Sequence, residues 1–378
     1  MMNLDFEDIR AYEDQDVESA INNLLKNPKF FNIVRYIFPD WEDQQISQIF
    51  SGIKTIQQFQ GSIIYKTVLK IINDSTQGLT FEGLEQIDAQ TGKIFLTNHR
   101  DIVLDSAFLN FLLYDNKRNT TYIAIGDNLL IYDWIVELVK LNKSFIVKRK
   151  VQKHEIIETS KKLSAYINTK VKENSSVWIA QREGRTKDGL DLTQPGIIKM
   201  FTFGSDKPLL EAISDLNIIP LSISYEFEPC DSYKALELAR KNSEAGYQKT
   251  IEDDLKNMFA GIKEPKGRVH YHFGTPVNKY LDRVEAKQNK NDQIAQLTSL
   301  IDQEIIRNYK LWPNNYIAYD LVSGNDRFKD QYTDMDKQVF LEWLRKKSYQ
   351  DEKFSEQIKA NMIQAYANPL IAKLKLKD

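Results

Sequence analysis

The sequence contains very little cysteine and histidine. Of its 378 residues, one is cysteine and four are histidine. A single cysteine, Cys230, excludes an internal disulfide and a cysteine metal cluster, and such sparse use is typical of a reducing compartment. Because histidines are so few, the position of each one is informative.

The sequence also lacks an excess of one charge and a long apolar run. It has 51 Lys and Arg against 53 Asp and Glu, a net charge of -2, so nucleic acid is not an expected partner. No run approaches the ~20 apolar residues that span a bilayer, and the acidic N-terminus has no apolar segment of a secretory signal. We expect a cytoplasmic protein whose membrane contact, if any, is peripheral on the cytoplasmic face.

Three regions differ in their patterns. Residues 1–78 and 281–378 carry apolar positions at helical spacing, whereas residues 79–280 alternate short apolar runs with helical segments. This alternation is typical of an α/β domain. We predict a central, mostly parallel sheet flanked by helices, with helical N- and C-terminal extensions. The predicted strands lie at 93–98, 121–126, 144–149, 175–181, 217–226 and 268–274, and the intervening helices at 101–114, 129–141, 151–171 and 205–215.

The most informative segment joins the first predicted strand to the first of these helices. His99 follows the strand, and Asp101 and Asp105 lie four residues apart on one helix face. An imidazole held by a carboxylate can remove a proton from a hydroxyl group. In the alternative interpretation Asp101 only caps the helix, Asp105 is solvated and His99 is an incidental loop residue. The cap role of Asp101 is compatible with either interpretation.

Two basic segments follow later predicted strands. Lys148, Arg149 and Lys150 end one strand and could grip a phosphate, although a solvated strand end has the same pattern. The loop 181–189 carries Arg182, Arg185 and Lys187, and its glycines allow a tight turn. Such a loop after a strand predicts an anion-binding cradle, with an ordinary polar turn as the alternative.

Two histidines alternate along the last predicted strand. His270 and His272 face the same side of this strand. Metal ligation by the pair is conceivable, but the sequence around it offers no cluster of further ligands. We therefore expect a surface histidine pair and no metal site.

In order and spacing, these segments resemble the motifs of the glycerolipid acyltransferase superfamily, most closely its glycerol-3-phosphate and dihydroxyacetone-phosphate O-acyltransferase branch. The resemblance covers roughly residues 80–278. It is carried by Asn98-His99-Arg100 with a following aspartate, by 123–129 and then 145–149, by Glu183-Gly184-Arg185, by 219–226 and by Phe273-Gly-Thr-Pro276.

Two spacings depart from the family motifs. Histidine and aspartate are separated by five residues here, from His99 to Asp105, and by four in the family, so either Asp105 or Asp101 could pair with His99. We favour Asp105, because an apolar helix follows it. The third motif is one residue shorter, so Arg185 or Arg182 could take the place of the family's arginine.

The resemblance implies an α/β enzyme that transfers an acyl group from acyl-CoA or an acyl carrier protein thioester to the hydroxyl of glycerol-3-phosphate or a related lipid acceptor. His99 would be the general base and Asp105 or Asp101 would orient it. No cofactor beyond the thioester co-substrate is implied. The other implied roles are phosphate binding by Lys148, Arg149, Arg182 and Arg185, shaping of the loop by Glu183 and Gly184, and an acyl-side wall made by Ile219 and Pro220.

Three alternatives stay open. A 1-acylglycerol-3-phosphate acyltransferase, or an acyltransferase for another lipid, shares these motifs. The departures in spacing could instead mark a degenerate domain that binds a lipid or a partner without turnover. Finally, the segment 131–150, with Tyr132 and Trp134 beside apolar residues and a basic end, is compatible with docking on an anionic membrane surface and with a core helix and strand.

Overall fold

A seven-stranded sheet organises the middle of the chain in the computed structural model, which describes residues 5–149, 151–152, 154–285 and 289–376. The strands are β1 (Leu79–Glu82), β2 (Ile94–Thr97), β3 (Tyr122–Gly126), β4 (Ser144–Val147), β5 (Val177–Ala180), β6 (Ile218–Tyr225) and β7 (Val269–Phe273). Their order in the sheet is β1-β7-β6-β2-β5-β3-β4. All neighbouring strands are parallel except β6 and β7. The predicted α/β class with a mostly parallel sheet is confirmed.

Helices flank this sheet and form both terminal extensions. They are α1 (Val17–Leu25), α2 (Pro28–Ile37), α3 (Asp43–Ser51), α4 (Ile56–Phe59), α5 (Tyr65–Ser75), α6 (Leu104–Asp115), α7 (Asp133–Leu141), α8 (Ile156–Lys172), α9 (Pro195–Thr202), α10 (Leu209–Ser214), α11 (Asp231–Ser243), α12 (Ile251–Lys263), α13 (Lys290–Asn308), α14 (Pro313–Ser323), α15 (Asp334–Ser348) and α16 (Ser355–Lys375). A π-helical turn at Gln60–Ile64 joins α4 to α5. No helix of the described residues is long and apolar enough to cross a membrane.

Some elements differ from the sequence-based expectation. Strand β1 was not predicted, because it is a four-residue edge strand whose side chains are only partly buried or exposed, and no apolar run marks it. Helices α9, α11 and α12 were also missed. Helix α6 begins at Leu104 rather than at 101, because Asp101 accepts hydrogen bonds from the amides of Val103 and Leu104 and so caps the helix from outside.

The two faces of the sheet are covered by separate apolar clusters. One cluster includes residues of α8, α9 and α13, and the other is built mainly around α6. The N-terminal helices share a cluster with Leu141 of α7, and the C-terminal helices share one with Ala235 and Ala239 of α11. Both helical extensions therefore pack on helices of the sheet region.

The parallel strands set the position of the functional loops. Strands β2, β3, β4 and β5 are neighbours and all run in one direction. Their carboxyl ends therefore lie at one edge of the sheet, the usual place of ligand sites in such sheets. The loop containing His99 follows β2, and the basic segments at 148–149 and 181–189 follow β4 and β5.

A close contact joins the loop 181–189 to α16. Gly189 has φ of +77°, and a Cβ atom there would lie 2.1 Å from the carbonyl oxygen of Ala365. We expect Gly189→Ala to lower the free energy of unfolding by about 1–2 kcal/mol for the left-handed backbone and by a further ~1–3 kcal/mol for the clash. Urea denaturation measures this loss.

Gly246 provides the matched control. Its φ is +79°, but a Cβ atom there would meet nothing within 4 Å. Gly246→Ala should therefore show only the backbone cost. Equal losses for the two variants would mean that the contact with α16 is not tight.

Candidate active site

His99 and Asp105 are in direct contact at the carboxyl end of β2. The Nδ1 atom of His99 lies 2.8 Å from Oδ2 of Asp105. Asp105 is in the first turn of α6 and is fully buried, whereas the His99 side chain keeps 13% of its surface exposed. Because Nδ1 is held by the carboxylate, Nε2 is the nitrogen left to act on another molecule.

The carboxylate of Asp105 is held from several sides. Its Oδ2 atom accepts hydrogen bonds from the backbone amides of Arg100 at 2.6 Å and Asp101 at 3.0 Å. Its Oδ1 atom accepts one from the hydroxyl of Tyr225 at 3.0 Å. The hydroxyl of Tyr271 donates to the Asp105 carbonyl at 2.9 Å. The two amides and Tyr225 satisfy the buried carboxylate, and Tyr271 holds the backbone of the same residue.

Asp101 has a different environment. Its Oδ1 atom accepts the helix-capping hydrogen bonds of Val103 and Leu104, both at 2.8 Å, while its Oδ2 atom is buried without a hydrogen-bond partner. Burial, together with the nearby charge of Asp105, raises the pKa of Asp101. The structure therefore pairs His99 with Asp105 and gives Asp101 the cap position.

A buried network of charges supports the His99 loop from behind. The guanidinium group of Arg100 contacts the carboxylate of Asp191, and its Nη1 atom lies 3.2 Å from Glu228. Lys234 donates to Glu228 and to the Arg100 carbonyl, both at 2.6 Å. All four side chains are at least nine-tenths buried. Such a network fixes the backbone conformation of the loop that carries His99.

Backbone contacts join the His99 loop to its neighbours in the sheet. The side chain of Asn98 bonds both the carbonyl and the amide of Ile223 in β6, at 2.9 and 2.7 Å. On the other side, the amide of Thr186 donates to the His99 carbonyl at 3.0 Å. The loop after β5 is therefore set directly against the histidine.

A cavity of about 710 Å³ opens beside His99. This volume lies within the usual range for small-molecule sites. Six of the predicted binding residues line the cavity with His99, namely Lys148, Arg149, Arg182, Glu183, Gly184 and Arg185. The structure thus brings the loops after β2, β4 and β5 to one site, as their order in the sheet requires.

The cations around this cavity are not equivalent. Arg185 is 7% exposed, donates from Nη2 to Asn257 at 3.1 Å and has a buried Nη1 without a partner. The Nε atom of Arg182 is also buried and unpartnered. By contrast, Lys148 is exposed and pairs with Asp8. Arg185 is therefore the buried cation best placed for an anion in the cavity.

The two remaining cations of the first basic segment differ again. Arg149 is exposed and lies 3.8 Å from Glu183, a weak contact. Lys150 lies outside the described residues. Lys148 and Arg149 both line the cavity, and Lys148 also pairs with Asp8 of the N-terminal segment. Phosphate binding by this basic segment stays a prediction.

Ile219 and Pro220 do not line the cavity. Both lie within β6, whose neighbours β2 and β7 cover its two edges. Ile219 is 3% exposed and belongs to the apolar cluster around Phe95 and Leu221. The sequence-based expectation of an acyl-side wall at Ile219 and Pro220 is corrected here, because these residues serve the core of the sheet.

Apolar residues that sequence reasoning did not single out form the walls instead. They come from the start of α6 and from α7, β5 and α9, and they are Ile102, Val103, Ile135, Val139, Ile179 and Met200. The ring of Trp178 stands edge-on to His99 with centroids 5.7 Å apart. No local pattern separates these residues from core residues, because their side chains face the cavity only once the helices are packed.

Two tyrosines that hold Asp105 were also missed. Tyr225 and Tyr271 lie on the adjacent strands β6 and β7 and are buried. Alternation along β6 predicts that Tyr225 lies on the same face as Ile223. The pattern does not predict its hydrogen bond to Asp105. The site therefore joins an oriented imidazole to cationic and apolar walls, a combination suited to proton transfer on an anionic, partly apolar molecule.

Comparison with known proteins finds similarity in part of the chain. Residues 78–224 match the family model described as Acyltransferase. A search of the curated proteins finds no match. Among solved structures, the chain is similar to the 1-acyl-sn-glycerophosphate (LPA) acyltransferase PlsC from Thermotoga maritima, with 12% identity, a TM-score of 0.38 and coverage of 77% of this chain and 96% of that one. The family match starts just before β1, ends within β6 and contains the His99 loop.

The Arg100 network yields a prediction about stability. Arg100→Met leaves the carboxylates of Asp191 and Glu228 buried with less positive charge, so we expect the free energy of unfolding to fall by ~3–5 kcal/mol. Burial raises the pKa of Asp191 and the charge of Arg100 opposes that rise. The pKa of Asp191 in the folded state lies above its value in the unfolded state. As the pH falls, the carboxyl group therefore takes up a proton, and the Arg100→Met variant regains the free energy of unfolding that it lost.

Urea denaturation at about pH 5 and about pH 8 tests this prediction, with the larger loss expected at the higher pH. Arg283→Met, at an exposed arginine, is the control and should change little. Adding Asp191→Asn to Arg100→Met should recover part of the loss. A loss that does not depend on pH, or no recovery, would contradict the charge network as the cause.

Proposed function

We propose that the protein is an enzyme that transfers a fatty acyl group from an acyl thioester to the hydroxyl of glycerol-3-phosphate or a related lipid acceptor. The match of residues 78–224 to the Acyltransferase family model supports this proposal. The observation that carries the proposal is the His99–Asp105 pair, at 2.8 Å, at the wall of a cavity with both cationic and apolar sides. His99 is the general base of this proposal.

The chemistry proceeds by direct attack. Nε2 of His99 takes the proton of the acceptor hydroxyl while the hydroxyl oxygen forms a bond to the thioester carbonyl carbon. The carbon–sulfur bond then breaks, and the imidazolium returns the proton to the departing thiolate. Asp105 stabilises the imidazolium and holds the tautomer with hydrogen on Nδ1.

An acyl-enzyme on cysteine is not supported. Cys230 is the one cysteine in the chain, and it is buried with its thiol donating to the carbonyl of Asn257 at 3.0 Å. Burial raises the pKa of this thiol to about 11, so the reactive thiolate is scarce at neutral pH. This favours a mechanism in which the acceptor itself is the nucleophile.

A phosphate group on the acceptor fits the basic side of the cavity. Arg185 and Arg182 line this side, and each has a buried guanidinium nitrogen without a partner, Nη1 of Arg185 and Nε of Arg182. Buried guanidinium donors that lack a partner are costly unless a ligand completes them, and arginine pairs well with phosphate. Arg149 adds a further charge at the rim. Glu183 and Gly184 shape the loop. Gly184 has a left-handed backbone conformation, and the space where a Cβ atom would lie is open.

The apolar walls fit an acyl chain. The side chains of Ile135, Val139 and Met200 line the cavity away from the basic loop. An acceptor that already carries one acyl chain, such as 1-acylglycerol-3-phosphate, would also find apolar surface here, and the assay below separates the two acceptors. The retained His99–Asp105 contact argues against a domain that binds lipid without turnover.

Membrane contact is part of the proposal, since the acylated product partitions into lipid. Ile156 lines the cavity and is 47% exposed, and its neighbour Ile157 is 60% exposed. These side chains at the start of α8 form an apolar rim that can rest on the cytoplasmic face of a membrane. Helix α7 is less suited, because Ile135 and Leu141 are buried and Trp134 packs against the N-terminal helices.

His99→Ala should abolish turnover while the protein stays folded. Loss of a general base lowers rates by typically ~10²–10⁴-fold. The assay follows thiol release from a long-chain acyl-CoA, and separately from an acyl carrier protein thioester, with glycerol-3-phosphate or lysophosphatidate as the acceptor. The control is His154→Ala, at an exposed histidine. Retained activity in His99→Ala would overturn the assignment of the base.

Arg185→Gln should weaken the use of a phosphate-bearing acceptor. Loss of a charged hydrogen bond of ~1.5–3 kcal/mol corresponds to about a tenfold to 100-fold fall in kcat/KM. We expect most of this fall in the KM for the acceptor, with the KM for the thioester little changed. Arg185→Lys should be intermediate, because it keeps the charge but loses the planar fork.

The exposed Arg283 supplies the matched control, and Arg283→Gln should behave as the unmodified protein. Circular dichroism melts report whether Arg185→Gln remains folded at the assay temperature. A normal KM for the phosphate acceptor in folded Arg185→Gln would contradict the phosphate-binding role and favour a neutral lipid acceptor.

A further inference from the structure

Three ligand-type side chains meet at the edge of the sheet, outside the cavity. His270 and His272 lie on β7, and Glu82 on the edge strand β1 is directly opposite His272 in the strand register. One ligand atom from each of the three lies within 4.8 Å of the others. None of them lines the active-site cavity. The sequence could not show this group, because Glu82 is far from the histidines along the chain.

The distance between the ligand atoms of Glu82 and His272 matches the distance between two ligands of one metal ion. Nδ1 of His272 lies 3.5 Å from Oε2 of Glu82. Two ligands of a tetrahedral zinc ion, each bonded at ~2.0–2.2 Å, are about 3.3–3.5 Å apart. The Glu82 side chain is 63% exposed and that of His272 is 26% exposed. An ion can therefore enter from solvent on this side and meet ligands that need only small rotations.

The third ligand is fixed by a hydrogen bond of the kind that metal-binding histidines use. Nδ1 of His270 lies 2.8 Å from the hydroxyl oxygen of Thr80 on β1. The Thr80 hydroxyl also lies 3.3 Å from the carbonyl of Val269. In the tautomer in which this hydroxyl donates to Val269 and accepts from Nδ1 of His270, Nε2 is the nitrogen with a free lone pair. A ligating histidine commonly donates its other N–H in this way.

An unpartnered hydroxyl points to a ligand at the same place. Ser222 on β6 is 1% exposed, and its Oγ atom is buried without a hydrogen-bond partner. Ser222 is opposite His272 in the antiparallel register, so the two side chains lie on the same face of the sheet. A buried hydroxyl without a partner is costly, and a water molecule in a metal shell would satisfy it.

Two charged side chains lie near the histidines. Lys310 contributes a positive charge near His270, and Glu82 contributes a negative one. The amide of Lys310 donates to Ser224 at 2.8 Å, which places this residue over β6. The exposed carboxylate of Glu82, rather than the lysine, lies within ion-pair distance of His272.

We propose that Glu82, His270 and His272 bind one divalent transition-metal ion of the zinc class, with a water molecule as the fourth ligand. Two imidazoles and one carboxylate with an open position are a ligand set suited to this ion. The site fastens the edge strand β1 to β7. It is independent of the proposed acyl transfer, because it shares no residue with the cavity.

The test uses the full chain without a histidine tag. Zn²⁺ is titrated by calorimetry, and Co²⁺ is used as a probe because its visible absorption reports tetrahedral coordination. We expect one ion per chain, with binding lost in His272→Ala and weakened in Glu82→Gln. His154→Ala, which removes an exposed histidine elsewhere, should bind as the unmodified protein does.

A supporting residue gives a second readout. Thr80→Val removes the oxygen that holds Nδ1 of His270, and loss of such a partner weakens metal binding by ~10–100-fold. Zn²⁺ should also raise the melting temperature of the unmodified protein but not that of His272→Ala. No binding by the unmodified protein, or binding and a melting shift that survive His272→Ala, would overturn the proposal.

Discussion

The buried carboxylate of Asp105 is the group on which the active site depends. It receives the imidazole of His99, two backbone amides of the preceding turn and the hydroxyl of Tyr225. A carboxylate out of water is stable only when such donors surround it. These donors come from the loop after β2 and from β6, and Asp105 itself lies on α6. The position of His99 is therefore set by three elements at once.

The network behind Arg100 has a different consequence. Two carboxylates and two cations are buried together next to the His99 loop. Burying such ions is expensive, and their attraction about balances the cost of removing them from water. We infer that the network contributes little net stability and instead determines one conformation of the His99 loop. It also links this loop to α11 through Lys234.

The unusual histidine–aspartate spacing has a local explanation. Asp101 caps α6 from outside the helix, and residues 101–103 form a turn before the first helical residue. This turn accommodates the extra residue between His99 and Asp105 relative to the family motifs. Asp105 still lies in the first helical turn, where its carboxylate reaches back to the imidazole. The pair therefore forms with five residues between His99 and Asp105.

The sequence by itself determined the α/β class, six of the seven strands and the segments that meet at the site, because apolar periodicity and strand-end position are local properties. It also indicated Asp105 over Asp101. Tertiary structure alone decided that Arg185 is buried with a free donor, and that Ile219 belongs to the core. It also decided that Glu82 stands opposite His272. These facts depend on which distant strands and helices become neighbours, and no local pattern encodes that pairing.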